Sequence, residues 1–239
     1  MKLVINEKLI KKNKTIGQVT TFASLAVLAI GLVFAFGKDM TKILYSYIAL
    51  IIGFVLSQVG MYFSTRFGRS PRFDELFKGA FEKLRHEYTF YVYSSPVPFL
   101  LLGPCSIWVP IPLTASGKIS YENGKWKQQG GNFMMKLFGQ EGIGRPVQEV
   151  SANTAAIRKY LADKGIPEEE QPEIKHVLVV LMKNTIVGEI SEAPIPVVNL
   201  EDLKRSVRRV DRDECAAPLT EEQLARLTSA LDEYSKKNS

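Results

Sequence analysis

Two stretches decide what this chain can fold into. From Ile16 to Phe36 it reads IGQVTTFASLAVLAIGLVFAF, and from Ile43 to Phe63 it reads ILYSYIALIIGFVLSQVGMYF; neither holds a charged residue. At ~1.5 Å of rise per residue, each run can cross a hydrocarbon core roughly 30 Å thick. One such run could be a buried core helix, but two adjacent ones in 239 residues predict membrane spans, about 16–36 and 43–63. A cleaved signal peptide fits poorly, because the first run is too long and a second follows at once. The link GKDMT, from Gly37 to Thr41, is short enough to allow only a hairpin.

Charge orients the hairpin. Lys2, Lys8, Lys11, Lys12 and Lys14 precede the first span, in a basic N-terminal segment over 1–15, and Arg66, Arg69 and Arg72 follow the second within a linker over 64–72. The link region has only Lys38 and Lys42. The positive-inside rule then predicts a two-span protein of the cell membrane with both termini cytoplasmic. Residues 1–42 hold seven Lys against two acids, so most of the formal net charge of +6 lies there. The basic balance therefore reports topology and attraction to anionic lipid, and a nucleic-acid partner is not expected from it.

Within the second span, Ala49, Gly53 and Ser57 recur every four residues with Gly60 nearby, and the first span offers Ala23, Ala26, Ala29 and Gly31. In lipid, helices associate through close backbone approach over small residues, so this stripe is expected to face another helix.

Beyond residue 72 the patterns are those of an α/β domain. FDELFKGAFEKL places Phe73, Leu76, Phe77, Ala80, Phe81 and Leu84 on one helical face. EYTFYVYS, VPFLLLG and CSIWVPIPL read as strands, and GKISYENGKWKQ as a hairpin around Asn123-Gly124. A short helical piece, FMMKLF, precedes RPVQEVSANTAAIRKYLADKG, a long helix with Pro146 in its first turn, Gly165 past its end and Val147, Val150, Ile157 and Leu161 on one stripe. HVLVVLM is a strand buried on both faces, IPVV a last short one. Asn199 is placed to cap LEDLKRSVRR, and Thr220 with Gln223 forms a capping box for a C-terminal helix in 213–239. The order predicts helices layered on a mixed sheet.

Pro110 and Pro112 stand two apart in one strand, so both missing N–H groups face the same edge, where no regular ladder can form. That predicts a splayed or edge strand end.

The motifs VPFLLLGPCSIWVPIPLTASGKI and RPVQEVSANTAAIRKYL, in this order of elements, resemble the nuclease-related domain (NERD) family over roughly 73–212. The resemblance implies a restriction-endonuclease-like mixed sheet flanked by helices, with a PD-(D/E)xK-type site. In such a site two strand-end acids hold a divalent cation and a Lys steadies the attacking water. The family's Asp falls on Pro98, its Glu on Ile111 and its Lys on Leu113. Asp74 stands near the first-helix acid position and Gln148 matches the later Gln. Gly103, Pro104, Ser116, Gly117 and Lys118 keep the turns. No Asp or Glu occurs between Thr89 and Ser120, so sliding the register restores nothing; a compensating set of Asp74, Glu122 and Glu149 has no spacing in its favour.

The remaining candidates read as structural. Cys105 and Cys215 lack CxxC spacing and, in a reducing cytoplasm, are expected to be free thiols. His86 and His176 are isolated, so no metal is expected. Gly142 and Gly144 lack the rest of a phosphate loop. Lys204, Arg205, Arg208, Arg209 and Arg212 read as a solvated or lipid-facing helix end. The expected function is a catalytically inactive, cofactor-free interaction or assembly module on the bilayer, with a protein partner or self-association. The alternative is a membrane-tethered, metal-dependent nuclease or nucleic-acid-processing protein with a displaced site.

Overall fold

The structure, a computed structural model, describes residues 1–37, 39–137, 141–215 and 217–238, and divides into two compact units. The first contains Lys8–Arg72. Its helices α1 (Glu7–Ala35) and α2 (Met40–Phe63) are each long and apolar enough to cross a membrane. Phe22, Val33 and Ile51 are 72%, 71% and 66% exposed, an outward apolar surface that bulk water would penalise. Of the link, Lys38 lies outside the described residues; Asp39 pairs with Lys42 at 3.3 Å.

Small residues bring the two helices together. Gly17, Ser24 and Gly31 are buried on α1, and Ser46, Gly53 and Gly60 on α2, each set at intervals of seven. A Cβ on Gly53 would stand 2.6 Å from the Leu28 side chain, one on Gly31 2.8 Å from Ala49, and one on Gly60 2.5 Å from Thr21. Ala49 and Ser57 are half-buried beside Gly53. The seam thus runs at intervals of seven rather than four, the spacing that keeps two long helices facing each other as they wind. Thr20, Thr21 and Ser24 donate their hydroxyls to carbonyls one turn earlier, which satisfies them without water.

The second unit contains Met1–Glu7, Phe73–Phe133 and Glu141–Ser239. The first residues are therefore no separate basic segment. Lys2–Ile5 forms strand β1, and α1 begins at Glu7. With β2 (Thr89–Val92), β3 (Phe99–Leu102), β4 (Ser106–Leu113), β7 (Glu173–Val180) and β9 (Val197–Asn199) it makes a six-stranded mixed sheet ordered β1-β2-β3-β4-β7-β9. The run Lys2–Ile5 pairs in parallel with Thr89–Val92. Its single polar-flanked apolar stretch carries no local signal of a partner so far along the chain.

Strand β4 is interior, not an edge, yet its prolines do end a ladder. Ser106 accepts from Gly103 on the β3 side and Leu113 from Leu181 on the β7 side. Backbone groups alternate sides, so Pro110 and Pro112 turn their nitrogens toward β3. Pairing with β3 stops at Trp108, while pairing with β7 runs the full strand from Ser106 to Leu113. A second sheet, β6-β5-β8, joins β5 (Gly117–Glu122), β6 (Lys125–Gln129) and β8 (Thr185–Val187), the last not anticipated from sequence. Asn123 and Gly124 both take left-handed φ values, 52° and 74°, as a two-residue hairpin turn requires.

Alternation sorts the main sheet's faces. Tyr91, Leu100, Leu102, Ile107, Val109 and Ile111 share a core with Ile157 and Leu161 of α5 (Pro146–Asp163) and Leu227 and Leu231 of α7 (Glu221–Lys237). The opposite face sets Phe90 and Phe99 edge-to-face against Phe81 and Phe77 of α3 (Phe73–Phe81). Val147, expected on the α5 stripe, is 51% exposed, and in that first turn Pro146 is the buried residue. The short helix α4 is Phe133–Leu137; Phe138, read as its end, lies outside the described residues. The α7 capping box forms, with Thr220 and Gln223 bonding reciprocally. Asn199, by contrast, makes no side-chain cap, because Leu200–Asp202 is a 3₁₀ turn that leads into α6 (Leu203–Asp213). His176 is buried on β7 with its Nε2 unpartnered among the described residues, and burial holds its pKa below the ordinary range.

The cysteines are bonded to each other. Cys105, in the β3–β4 turn, and Cys215, just past α6, form a disulfide across 110 residues with Cα atoms 5.8 Å apart. Their sequence separation hid this, because only the packing of α6 on the sheet brings the turn and the helix end together.

The hairpin seam gives a direct test. Gly53→Leu must displace Leu28, and the tightest approach of α1 and α2 is lost. In detergent its melting temperature should fall by several degrees, about 2 kcal/mol of lost packing, whereas Ile51→Leu on the outward face should leave it unchanged. An unaltered Gly53→Leu melt would sink the seam.

Candidate functional site

The residues named from the nuclease pattern do not converge. Ile111 and Leu113 are 4% and 2% exposed, pointing into apolar clusters on one face of the sheet. Pro98 is exposed in the β2–β3 turn, where its carbonyl accepts from the Tyr93 N–H at 2.8 Å. Asp74 is buried on α3, the helix that covers the opposite face. Gln148 is exposed on the first turn of α5 beside Arg145, 3.5 Å away. Glu122 pairs with Lys127 at the hairpin tip. Among the described residues, no three His, Cys, Asp or Glu side chains come together as a metal-ligand set.

A different polar centre emerges on α6. Its buried stripe is Leu203, Val207 and Asp211, one residue per turn, so a carboxylate takes a position that an amphipathic helix normally gives to an apolar side chain. A buried carboxylate must be saturated with donors. Tyr88 Oη donates to Asp211 Oδ2 at 2.6 Å, and Ser106 Oγ and Trp108 Nε1 both donate to Oδ1 at 2.9 Å. Burial first, and then its bond to Asp211, pushes the Tyr88 phenol well above its ordinary pKa, which keeps it a donor. Gly103 lets the β3–β4 turn approach, since a Cβ there would meet Tyr88 at 2.9 Å and Asp211 at 3.1 Å.

The outer side of this centre is a cavity of about 660 Å³. It is lined by Arg85, Glu87, Tyr88 and Pro104 and by the outward side chains of α6: Lys204, Arg205, Arg208, Arg209 and Arg212. Six cations thus face two carboxylates, of which Asp211 already has its donors. Arg205 pairs with Asp202 at 3.0 Å and Arg212 with Asp213 at 2.7 Å. Arg85, Lys204, Arg208 and Arg209 have no ion pair within 4.0 Å among the described residues. Sequence reasoning found the five α6 cations but read them as a solvated or lipid-facing helix end. It missed Arg85, which arrives from the loop after α3, and Asp211. The legible signal for Asp211 was an acid at the third place of the Leu203–Val207 stripe.

Asp211→Ala would leave three donors buried without an acceptor, at roughly 1–3 kcal/mol each before relaxation. We expect a loss of about 3 kcal/mol or more in chemical denaturation, against about 1 kcal/mol for Ser106→Ala. Equal costs for the two would show that the donors do not converge on Asp211.

No protein-family model, no curated protein and no solved structure matches the chain. The likeness to nuclease-related domains accordingly rests on the sequence motifs alone.

Proposed function

We propose that this protein is a membrane-anchored α/β module that works by binding, as an interaction or assembly element, on a scaffold similar to that of nuclease-related domains. The observation that carries the reading is the apolar burial of Ile111 and Leu113, where the resemblance implies the metal-binding Glu and the Lys. Both side chains are part of the packing of β4, so restoring charge there would cost core stability rather than recover a ready site. Full-length protein in micelles, given millimolar magnesium or manganese, should leave duplex DNA and single-stranded RNA intact. Cation-dependent cleavage that Asp74→Ala abolishes would overturn the proposal.

The anchor reading extends to orientation. Because β1 lies in the same sheet as β2, both ends of the hairpin return to one unit, which requires that both helices cross or neither does. Eight cations flank the outer ends and two the link, which supports a cytoplasmic domain. The Cys105–Cys215 bond pulls the other way, since disulfides persist in oxidising compartments. Charge carries more weight because it acts during insertion, before the fold can bring the cysteines together. A cytoplasmic domain would meet reducing thiols, so the orientation predicts that the Cys105–Cys215 bond is open in the cell. In intact cells a membrane-impermeant maleimide should leave Cys105 and Cys215 unlabelled, and permeabilisation without prior reduction should expose both. A pair already oxidised in the cell would reverse the orientation.

A further inference from the structure

We infer that the cavity beside α6 is a binding site for a small polyanion carrying at least two phosphate groups. The inference rests on the binding-module reading and names the chemistry of what is bound. Three observations meet there. First, Arg85, Lys204, Arg208 and Arg209 converge on one cavity from two separate elements and have no ion pair within 4.0 Å among the described residues. Second, Lys204 and Arg208, Arg205 and Arg209, and Arg208 and Arg212 are each four apart on one helix, a spacing at which like charges repel. A multivalent anion relieves that repulsion, whereas a single carboxylate leaves most of it in place. Third, the volume of about 660 Å³ falls in the range of sites that enclose a small ligand, and arginine forks match phosphate oxygens two at a time.

The acid in the wall strengthens the assignment rather than opposing it. Asp211 is turned inward by Tyr88, Ser106 and Trp108, so of the two carboxylates in the wall only Glu87 faces a ligand, against six cations. The same network fixes α6 against the β3–β4 turn and so holds its cations in place before anything binds. That lowers the ordering cost of binding. The phosphate groups could belong to the head group of an anionic lipid or to a soluble phosphate ester, since the cavity chemistry is common to both.

Calorimetry on the full-length protein in neutral detergent, with inorganic pyrophosphate as probe, tests the site. Saturable binding is expected that weakens at least tenfold in Arg208→Gln/Arg209→Gln, and comparably in Arg85→Gln on the other element should the double variant misfold. Lys125→Gln, outside the cavity, should bind like the unaltered protein. No saturable binding, or equal binding by all variants, overturns the site. A second arm reconstitutes the protein in nanodiscs of phosphatidylcholine with and without cardiolipin, an anionic lipid whose head group carries two phosphates. Pyrophosphate affinity reduced by the anionic lipid identifies head groups as competing occupants, and unchanged affinity identifies a soluble one; both outcomes support the site. A third arm offers a short DNA duplex, and binding of the duplex with no detectable pyrophosphate binding would overturn the assignment to a small anion. Cleavage of that duplex with pyrophosphate binding intact would remove the non-catalytic reading and leave the site standing, whereas absent binding without cleavage would do the reverse.

Discussion

The pairing of residues 2–5 with residues 89–92 is the constraint on which the rest of the architecture depends. It places the two ends of a long apolar hairpin in one sheet, so the chain must leave the α/β unit and come back to it. It also covers one edge of β2, which would otherwise present open hydrogen-bonding groups. The contact spans more than eighty residues, so its formation follows the synthesis of both long helices. Everything that β2 supports, from the Phe90 and Phe99 stack to the Tyr91 bond with Asp232 of α7, is assembled around a strand whose neighbour comes from the far end of the hairpin.

The two faces of the sheet are stabilised differently. One is a continuous apolar core under α5 and α7, with Tyr160 bonding the Ala230 carbonyl where those helices meet. The other carries aromatic stacking under α3 and a polar knot under α6. Asp211 there gathers donors from the loop before β2 and from β4, and Cys105 meets Cys215 at the same corner. Together they fix the angle at which the cationic side of α6 is presented. A helix bearing five positive side chains would otherwise be a poor partner for any single packing mode.

What the sequence disclosed was what local physics determines. Two uncharged runs form two long helices, an Asn-Gly pair makes its turn and a Thr-x-x-Gln box caps its helix, each within a few residues of its signal. The prolines show where such reasoning stops. They ended a ladder as expected, but strand β4 is interior because its other edge, facing β7, is complete. Strand β1, the cysteine pair, Asp211 and Arg85 share another property. Each acquires its meaning from a partner about ninety or more residues away, through packing that no window of the sequence contains. Ile111 and Leu113 were legible as apolar residues at the places where the resemblance implies a Glu and a Lys, whereas the separation of Asp74 onto the other side of the sheet was not.

The spacing of small residues in the hairpin has a consequence for how this protein can meet others of its kind. Gly17, Ser24 and Gly31 are buried on α1 and Ser46, Gly53 and Gly60 on α2, with Leu28, Ala49 and Thr21 filling the gaps. The seam that could have zipped one copy to another is spent within a single copy. What remains outward is mostly bulky, with Phe22, Val33 and Ile51 exposed, but Ala26 and Ala29, expected from the sequence to face the other helix, are exposed on the same side of α1 as Phe22 and Val33. A second copy would therefore meet the apolar outward face of the pair, where Ala26 and Ala29 are the small residues on offer, and not the glycine seam.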